Sequence, residues 1–159
     1  RVIPLSRGQV AIIDDEDFAL VSQYTWHAQP HWKYHDQFAA VATVGKTSIK
    51  MHRLILGFPE GRHVDHKNHD TLDNRRQNLR PATQTQNSQN TRPRRNSSSP
   101  FKGVSKRSGV RRTRPYRGLI EHLGNRFNLG YFSTAEAAAK AYDAKSKELF
   151  GEFAYLNFP

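Results

Sequence analysis

Residues 63–90 have the sequence HVDHKNHDTLDNRRQNLRPATQTQNSQN, in which short apolar segments alternate with polar ones. The pattern of residues 63–66 is typical of a short strand, and residues 67–76 are a polar loop rich in Asn and Asp. A second short strand is predicted over residues 78–82, where Pro81 suits an edge position because it has no N–H to donate. The polar residues 83–90 are compatible with a helix. We therefore expect two short strands followed by a helix.

Asp65, His66, Asn78 and Asn87 are the candidate functional residues of this stretch. Hydrolysis of a phosphodiester needs an activated water, a cation that neutralises charge on phosphorus, and help for the departing oxygen. A histidine, with an ordinary pKa of about 6.5, can take the proton of that water at neutral pH. Asp65 points to the opposite side of the strand from His66, so a metal and a base flank one phosphate only if the strand end twists or a neighbouring element supplies a ligand. Asn87 can supply a second oxygen ligand, and oxygen ligands suit Mg²⁺ or Mn²⁺.

These segments resemble the HNH endonucleases found in phages and group I introns. The resemblance covers residues 50–90 and extends more loosely back to Ile3; it is carried by Val64-Asp65-His66, Leu72-Asp73-Asn74-Arg75, Asn78-Leu79-Arg80, Gln86-Asn87-Ser88-Gln89-Asn90 and the preceding Met51-His52-Arg53-Leu54. It implies a ββα-metal finger in which His66 is the general base, Asp65 and Asn87 hold one divalent cation, and Asn78 pins the loop. The products would carry 5′-phosphate and 3′-hydroxyl ends. The family often has glycine at the position of His69, so this chain departs from the family within the loop.

Two alternatives concern the same region. His63, His66 and His69 are candidates for a structural zinc site, although three imidazoles without cysteine fit the usual four-ligand pattern poorly. Arg53 is a candidate clamp for a substrate phosphate, or else a partner for the acidic N-terminal segment. Other histidines are expected to be surface or packing residues: His27, His31, His35, His52 and His122.

Composition limits the class of protein. The chain has 159 residues, no cysteine and a net charge of +11, so disulfides, Cys-based zinc fingers and thiol nucleophiles are excluded. The basic excess is local, because residues 75–117 contain thirteen Arg or Lys and no Asp or Glu, whereas residues 14–17 are all acidic. Such a stretch favours a polyanionic partner over a merely solvated face. No apolar run approaches a membrane span, and we expect an intracellular protein, in the cytoplasm of a bacterial host if a phage encodes it.

The sequence predicts an α+β protein of two modules. Residues 1–90 form the first, in which a small N-terminal αβ extension precedes the finger at about 50–90; short strands are predicted at 10–14, 26–29, 38–44 and 47–50, with a brief helix at 51–56 closed by Gly57. Residues 91–100, with three Arg and a Ser/Pro run, are a linker. Residues 101–159 are the second module, with strands at 101–107, 116–123 and 126–132 and a helix that starts at a Ser133–Glu136 capping box and runs to about Phe150.

The second module resembles the plant Apetala/ethylene-response-factor (AP-two) DNA-binding domain over essentially all of residues 101–159. The resemblance is carried by Phe101-Lys102-Gly103-Val104, by 128–132, by the Ala-rich run within 134–143 and by 153–159. It implies a three-stranded antiparallel sheet packed on one helix, with the sheet in the major groove. Ser105, Leu119 and Asn128 depart from the family, so its recognition sequence does not carry over. An interaction domain with a solvated basic face is the alternative.

Strand alternation assigns the faces of this sheet. Tyr116, Gly118, Ile120, Phe127 and Leu129 are expected to face the helix, which leaves Arg117, Leu119, Glu121, Arg126 and Asn128 on the other side. Arg111, Arg112 and Arg114 are predicted to lie in a hairpin loop and to grip the DNA backbone. The candidate DNA-binding residues are Arg75, Arg76, Arg92, Arg94, Arg95, Lys102, Lys106, Arg107, Arg117, Arg126 and Asn128.

The favoured function is a homing-type endonuclease for double-stranded DNA, dependent on one divalent cation, Mg²⁺ or Mn²⁺, and acting as a monomer or weak dimer. One active site per chain predicts a nick, and a double-strand break would need two chains or two events. A sequence-specific DNA-binding regulator with a non-catalytic HNH scaffold is the second hypothesis. Binding of single-stranded or structured RNA is the third.

Overall fold

The computed structural model describes residues 1–31, 36–93, 96–107 and 113–159. The fold is mixed α/β, with several small sheets and few helices. Contacts divide the chain into two compact units, Arg1–Asn87 and Ser88–Pro159, each with its own buried apolar cluster. The described residues of the predicted linker at 91–100 belong to the second unit, while His35, Arg94, Arg95, Arg111 and Arg112 lie outside the described residues.

Three small antiparallel sheets lie in the described part of the first unit, pairing β1 with β2, β3 with β4 and β5, and β6 with β7. The boundary between the units falls within α3. In chain order the elements are β1 (Val2–Pro4), β2 (Val10–Ile12), α1 (Phe18–Val21), β3 (Trp26–Pro30), β4 (Phe38–Val44), β5 (Thr47–Lys50), α2 (Met51–Ile55), β6 (His63–His66), β7 (Leu79–Ala82) and α3 (Gln84–Gln89).

The apolar core of the first unit is built mainly from residues of the N-terminal extension and α2, and Leu79 of β7 also belongs to it. Ile13, Val21 and Met51 are at most 1% exposed. Trp26 adds its indole to the same cluster, and its Nε1 donates to the carbonyl of Val21 at 2.8 Å, so that the ring is buried with its one polar atom satisfied. This core gives the finger a rigid support.

The end of β2 holds the polar loop that follows β6. The N–H of Ile12 donates to the carbonyl of Leu72 at 2.8 Å, and the N–H of Asn74 donates to the carbonyl of Ile12 at 2.7 Å. Arg76 adds a charged link, because its guanidinium donates to both carboxylate oxygens of Asp17, at 2.6 and 3.0 Å, and its N–H donates to Asp14 at 2.7 Å. The extension therefore braces residues 72–76 from outside the finger.

The second unit is a three-stranded antiparallel sheet with one long helix against it. The strand order is β10-β9-β8, with β8 at Val104–Lys106, β9 at Tyr116–His122, β10 at Asn125–Phe132 and the helix α4 at Ala135–Phe150. The helix packs small residues against the sheet; those buried are Ala135, Ala138 and Ala139. None of the helices in the described parts of the chain is both long and apolar enough to cross a membrane.

Two close contacts fix the chain around α4. Gly103 has a φ of +74°, and a Cβ placed there would lie 1.9 Å from the ring of Tyr142, so the backbone approaches the helix where only glycine fits. The carboxylate of Asp143 accepts from the N–H groups of Asn157 and Phe158, both at 2.9 Å. The C-terminal residues are therefore tied down along the helix.

Several predicted elements differ in detail from the structure. The start of α4 is capped by Thr134, whose hydroxyl accepts from the N–H of Ala137 at 3.1 Å, and not by the predicted Ser133–Glu136 box. The first strand of the second unit is three residues long, so Lys102 precedes it. The three-residue strand β1 was not predicted, because a run this short that includes Pro4 carries almost no periodic signal.

The pairing of β9 with β10 shifts by one residue. Asn128 lies opposite Leu119 and Gly130 lies opposite Gly118, so one extra residue, Leu129, is accommodated in β10. Beyond the shift, Tyr131 lies opposite Arg117 on the face away from the helix, while Phe132 packs into the core. Simple alternation from Phe127 predicted the opposite order for these two residues.

Candidate active site

The hairpin of β6 and β7 places Asp65 and His66 side by side in one strand. In the antiparallel register Asp65 lies opposite Arg80 and His66 lies opposite Leu79. Both residues are 6% exposed. Because neighbouring side chains of a strand point to opposite faces, the carboxylate and the imidazole enter different surroundings, as expected from the sequence.

Asn78 connects the two ends of the loop between the strands. Its Nδ2 donates to the carbonyl of Asp73 at 2.7 Å, and its Oδ1 accepts from the N–H of Asn68 at 3.0 Å. The side chain is 6% exposed, so each of these bonds satisfies a polar group that water does not reach. The geometry suits a residue that fixes the loop.

Asp73 organises the interior of that loop. Its carboxylate accepts from the guanidinium of Arg75 at 2.7 and 2.8 Å and from Nδ2 of Asn68 at 2.9 Å. The hydrogen bonds from Arg75 are the main reason that the pKa of Asp73 lies below its ordinary value. His69 has a φ of +64° in this loop, a conformation that favours glycine. This is the position at which the resemblance led us to expect a glycine.

His66 is held by two side chains that the sequence did not connect to it. Its Nε2 lies 3.4 Å from Oδ1 of Asn74, and its ring packs edge-on against His52, with centroids 5.1 Å apart and planes at 85°. Burial lowers the pKa of His66, although the hydrogen bond to Asn74 and the carboxylate of Asp65 act in the opposite direction. The imidazole is therefore neutral at neutral pH, the state that can accept a proton.

His52 lies at the start of α2 and shares the environment of His66. Burial and the neighbouring His66 lower the pKa of His52 well below its ordinary value. Two neutral rings can pack at this distance, whereas two imidazolium ions would repel each other. His52 thus fits the packing role predicted for it.

Asp65 forms a buried ion pair with Arg80. Oδ2 of Asp65 accepts from Nε of Arg80 at 2.9 Å and from Nη2 at 2.7 Å, and the two side chains are 7% and 9% exposed. The sequence placed Arg80 on the facing strand but gave no sign of this pair. A cation held by Asp65 would have to share a carboxylate whose charge Arg80 already balances.

Asn87 lies on α3, which begins directly after β7. Thr83 and Gln86 cap this helix reciprocally, since the hydroxyl of Thr83 accepts from the N–H of Gln86 at 3.2 Å and Oε1 of Gln86 accepts from the N–H of Thr83 at 2.8 Å. The Thr-x-x-Gln pattern is visible in the sequence and was missed. A carboxylate oxygen from Asp65 and an amide oxygen from Asn87 are a donor set whose chemistry fits a hard divalent cation.

Arg53 binds backbone carbonyls in this structure, and its predicted role as a phosphate clamp stays a prediction. Its guanidinium donates to the carbonyls of Arg62 and Pro59, at 2.8 and 3.3 Å. The acidic N-terminal segment is bound instead by Arg76. Arg53 therefore braces the turn that leads from α2 to β6.

The zinc alternative finds no support in the described residues. There, the group of acidic and histidine side chains close enough to hold an ion is Asp14, Glu16 and Asp17, not the three histidines of residues 63–69. Arg76 pairs with this carboxylate cluster, so the cluster already has its counter-charge.

The candidate DNA-binding residues fall into two groups. Some are committed to contacts within their own unit: Arg75 and Arg76 bind carboxylates. Lys102 is half-buried, and its ammonium donates to the carbonyls of Gln89 and Thr91, at 2.5 and 2.8 Å. Lys106 lies opposite Tyr116, on the helix side of the sheet. These positions do not favour direct DNA contact by Lys102 or Lys106.

The second group lies on the face of the sheet away from α4, and we call it the basic sheet face. Its members are Arg107, Arg117, Arg126, Asn128 and Tyr131. The guanidinium of Arg107 lies 5.1 Å from the ring centre of Tyr131, and Nε of Arg117 lies 3.4 Å from Oδ1 of Asn128. Arg126 pairs with Glu121 at 3.2 Å in an exposed position. Arg92 is also exposed, in the segment that follows α3.

Comparisons with known proteins point in one direction. A family profile described as HNH endonuclease matches residues 50–89. An uncharacterised HNH endonuclease of Acanthamoeba polyphaga mimivirus is 31% identical over 157 residues, which cover 95% of this chain and 76% of that protein. No solved structure matches the chain.

Proposed function

Because the chain belongs to the HNH endonuclease family, we propose that it hydrolyses phosphodiester bonds in DNA with His66 as the general base. The observation that carries the proposal is a neutral, buried imidazole at the strand position next to a buried Asp65, in a hairpin whose loop is fixed by Asn78. Family membership supports a DNA endonuclease. The role of each residue is the one that the resemblance implies, and it is part of the proposal.

The proposed reaction is a single displacement at phosphorus. His66 takes a proton from water while the water oxygen bonds to phosphorus and the bond from phosphorus to the 3′ oxygen breaks. The departing 3′ oxygen then takes a proton from solvent, which leaves a 3′-hydroxyl and a 5′-phosphate. Asp65 and Asn87 would hold one divalent cation, Mg²⁺ or Mn²⁺, and such a cation neutralises charge on the phosphate and on the leaving oxygen.

We further propose that the second unit binds double-stranded DNA through the basic sheet face. The face carries three arginines and an exposed tyrosine, and it is the side of the sheet that α4 leaves open. A three-stranded sheet backed by one helix is also the arrangement expected from the Apetala/ethylene-response-factor resemblance. Together the two units would form a homing-type enzyme that nicks near a preferred site, as a monomer or weak dimer.

A plasmid assay tests the nuclease proposal. With Mg²⁺ or Mn²⁺, supercoiled plasmid should convert to open circles, and His66→Ala should abolish the conversion. His63→Ala is the matched control, since His63 lies in the same strand but is exposed. Asn87→Ala should require more cation for the same rate while DNA affinity persists. Full activity in His66→Ala would refute the assigned role.

A salt titration tests the proposed DNA-binding face. Arg117→Gln should weaken DNA binding and lower the slope of log affinity against log salt by about one. Lys147→Gln, which removes the same charge from an exposed position on α4, should leave both unchanged. Equal effects of the two variants would mean that net charge, rather than this face, drives binding.

A DNA-binding regulator with a non-catalytic HNH scaffold is the second candidate. The ion pair of Asp65 with Arg80 favours it, because a carboxylate already balanced by a guanidinium binds a cation less readily. Tight sequence-specific binding without cleavage under any cation would establish the regulator and eliminate the nuclease.

A further inference from the structure

The orientation of the Asn74 side chain is fixed by its neighbours. Asn74 is fully buried, and its Nδ2 donates to the carbonyl of Leu72 at 3.0 Å. Its backbone N–H donates to the carbonyl of Ile12, so the residue is tied to β2 as well. Turning the amide over would bring Oδ1 against the carbonyl oxygen of Leu72, and two acceptors would then face each other in a buried site. The amide oxygen must therefore point to His66.

This orientation determines which nitrogen of His66 carries the proton. Nε2 of His66 faces Oδ1 of Asn74 at 3.4 Å, and an amide oxygen only accepts hydrogen bonds. In a neutral imidazole one nitrogen is protonated and the other keeps a lone pair. If Nε2 is the donor to Asn74, Nδ1 is the nitrogen with the lone pair.

We propose that Asn74 is a positioning residue that holds His66 in the Nε2–H tautomer, so that Nδ1 is the atom that takes the proton from water. The proposal rests on the nuclease function proposed above. His52 adds a second restraint, because its perpendicular ring, 5.1 Å away, limits rotation of the imidazole. Asn74 touches neither the reacting water nor the phosphate in this scheme and acts only through His66.

The tautomer can be measured without any cleavage. In protein labelled with nitrogen isotope in histidine, NMR separates a protonated ring nitrogen from one with a lone pair, and His66→Gln identifies the signals of His66. At about pH 8, above the ordinary pKa of histidine, His66 of the intact chain should be a single Nε2–H species. An Nδ1–H species would overturn the proposal.

Three variants separate positioning from loop stability. Asn74→Leu removes the acceptor, and we expect a mixture of tautomers and a kcat about 10- to 100-fold lower with little change in KM. Asn74→Asp keeps an oxygen acceptor toward His66 but loses the donor to the carbonyl of Leu72. It should retain the Nε2–H tautomer in the neutral ring, with lower thermal stability and a higher pKa of His66. Asn68→Ala is the matched control, because the side chain of Asn68 bonds to Asp73 within the same loop. It should lower thermal stability and leave the tautomer intact.

The outcomes of this experiment are distinguishable from failure of the proposed function. An Nε2–H tautomer in a protein that cuts no DNA supports the role of Asn74 and counts against the nuclease. A protein that cuts DNA with His66 in the Nδ1–H form keeps the nuclease and overturns the role of Asn74. An unchanged tautomer in folded Asn74→Leu, or an equal shift in Asn68→Ala, also overturns it.

Discussion

Replacement of Arg80 by Met is the perturbation with the largest expected effect on the first unit. Methionine keeps much of the side-chain volume and removes the guanidinium that donates to Oδ2 of Asp65 at 2.7 and 2.9 Å. Because Asp65 is 7% exposed, water cannot replace those bonds without opening the hairpin. The variant therefore leaves a buried carboxylate without its principal counter-charge.

The cost follows from the burial of both partners. Removal of one member of a buried ion pair destabilises a protein by about 3–5 kcal/mol. For a domain of about this size, 1 kcal/mol lowers Tm by at least about 4 °C, so 3 kcal/mol corresponds to a fall of about 12 °C or more. The double variant Asp65→Leu/Arg80→Met removes both charges, and we expect it to be more stable than Arg80→Met alone.

Thermal unfolding with and without Mn²⁺ measures both effects. A cation held by Asp65 should stabilise Arg80→Met more than the original chain, by up to about 2.7 kcal/mol at a concentration one hundred times Kd. The double variant should lose this response. A loss below about 1 kcal/mol in Arg80→Met, or a double variant as unstable as the single one, would mean that the ion pair does not stabilise the hairpin. An identical Mn²⁺ response in all three chains would remove Asp65 from the ligand set.

Three further perturbations test other parts of the structure. Gly103→Ala should destabilise the second unit by about 2–4 kcal/mol in urea unfolding, because the new Cβ meets the ring of Tyr142 and the positive φ disfavours alanine. Unchanged stability of this variant would mean that the backbone at Gly103 does not approach the Tyr142 ring this closely. Arg76→Ala should lower the free energy of unfolding by about 2–3 kcal/mol, since Asp17 is 2% exposed and loses two charged hydrogen bonds. Chemical unfolding of Arg76→Ala and Arg76→Lys, measured side by side, shows whether the two-pronged guanidinium contact or the positive charge alone gives this stability. The lowered pKa of His52 means that the unfolded chain binds a proton below about pH 6.5 that the folded chain does not, so stability falls as pH falls through that range. His52→Phe, which keeps a ring against His66, should flatten the fall by up to about 1.4 kcal/mol per pH unit in urea unfolding between about pH 5 and 7, and an unchanged slope would contradict the lowered pKa.

Much of the secondary structure was visible in the sequence because it depends on local pattern. Strands β4, β5 and β6 begin and end where alternation and turn residues predict them, and α4 ends at the predicted glycine. The brief helix α2 before Gly57 was equally local, since the glycine adopts a φ of +68°. Elements of this kind are determined by a few consecutive residues.

The contacts of the candidate site were less predictable because they depend on pairing between distant segments. Asp65 meets Arg80 only through the register of β6 and β7, which a loop of twelve residues, 67–78, sets. His52 reaches His66 only after α2 has packed against the core. Asn74 could be read as part of a polar loop, but its orientation depends on a carbonyl of that loop and on β2.

The extra residue in β10 affects how this chain should be aligned with its relatives. In this chain the third and fourth residues after Asn128 are Tyr131, which points outward, and Phe132, which points into the core. In a relative without the extra residue, unbroken alternation would point the third residue after the counterpart of Asn128 into the core and the fourth residue outward. Aligning the two chains without a gap there would equate an outward aromatic residue with an inward one. With a gap at position 129, outward residues are aligned with outward residues, and the side chains that can contact a binding partner are compared correctly.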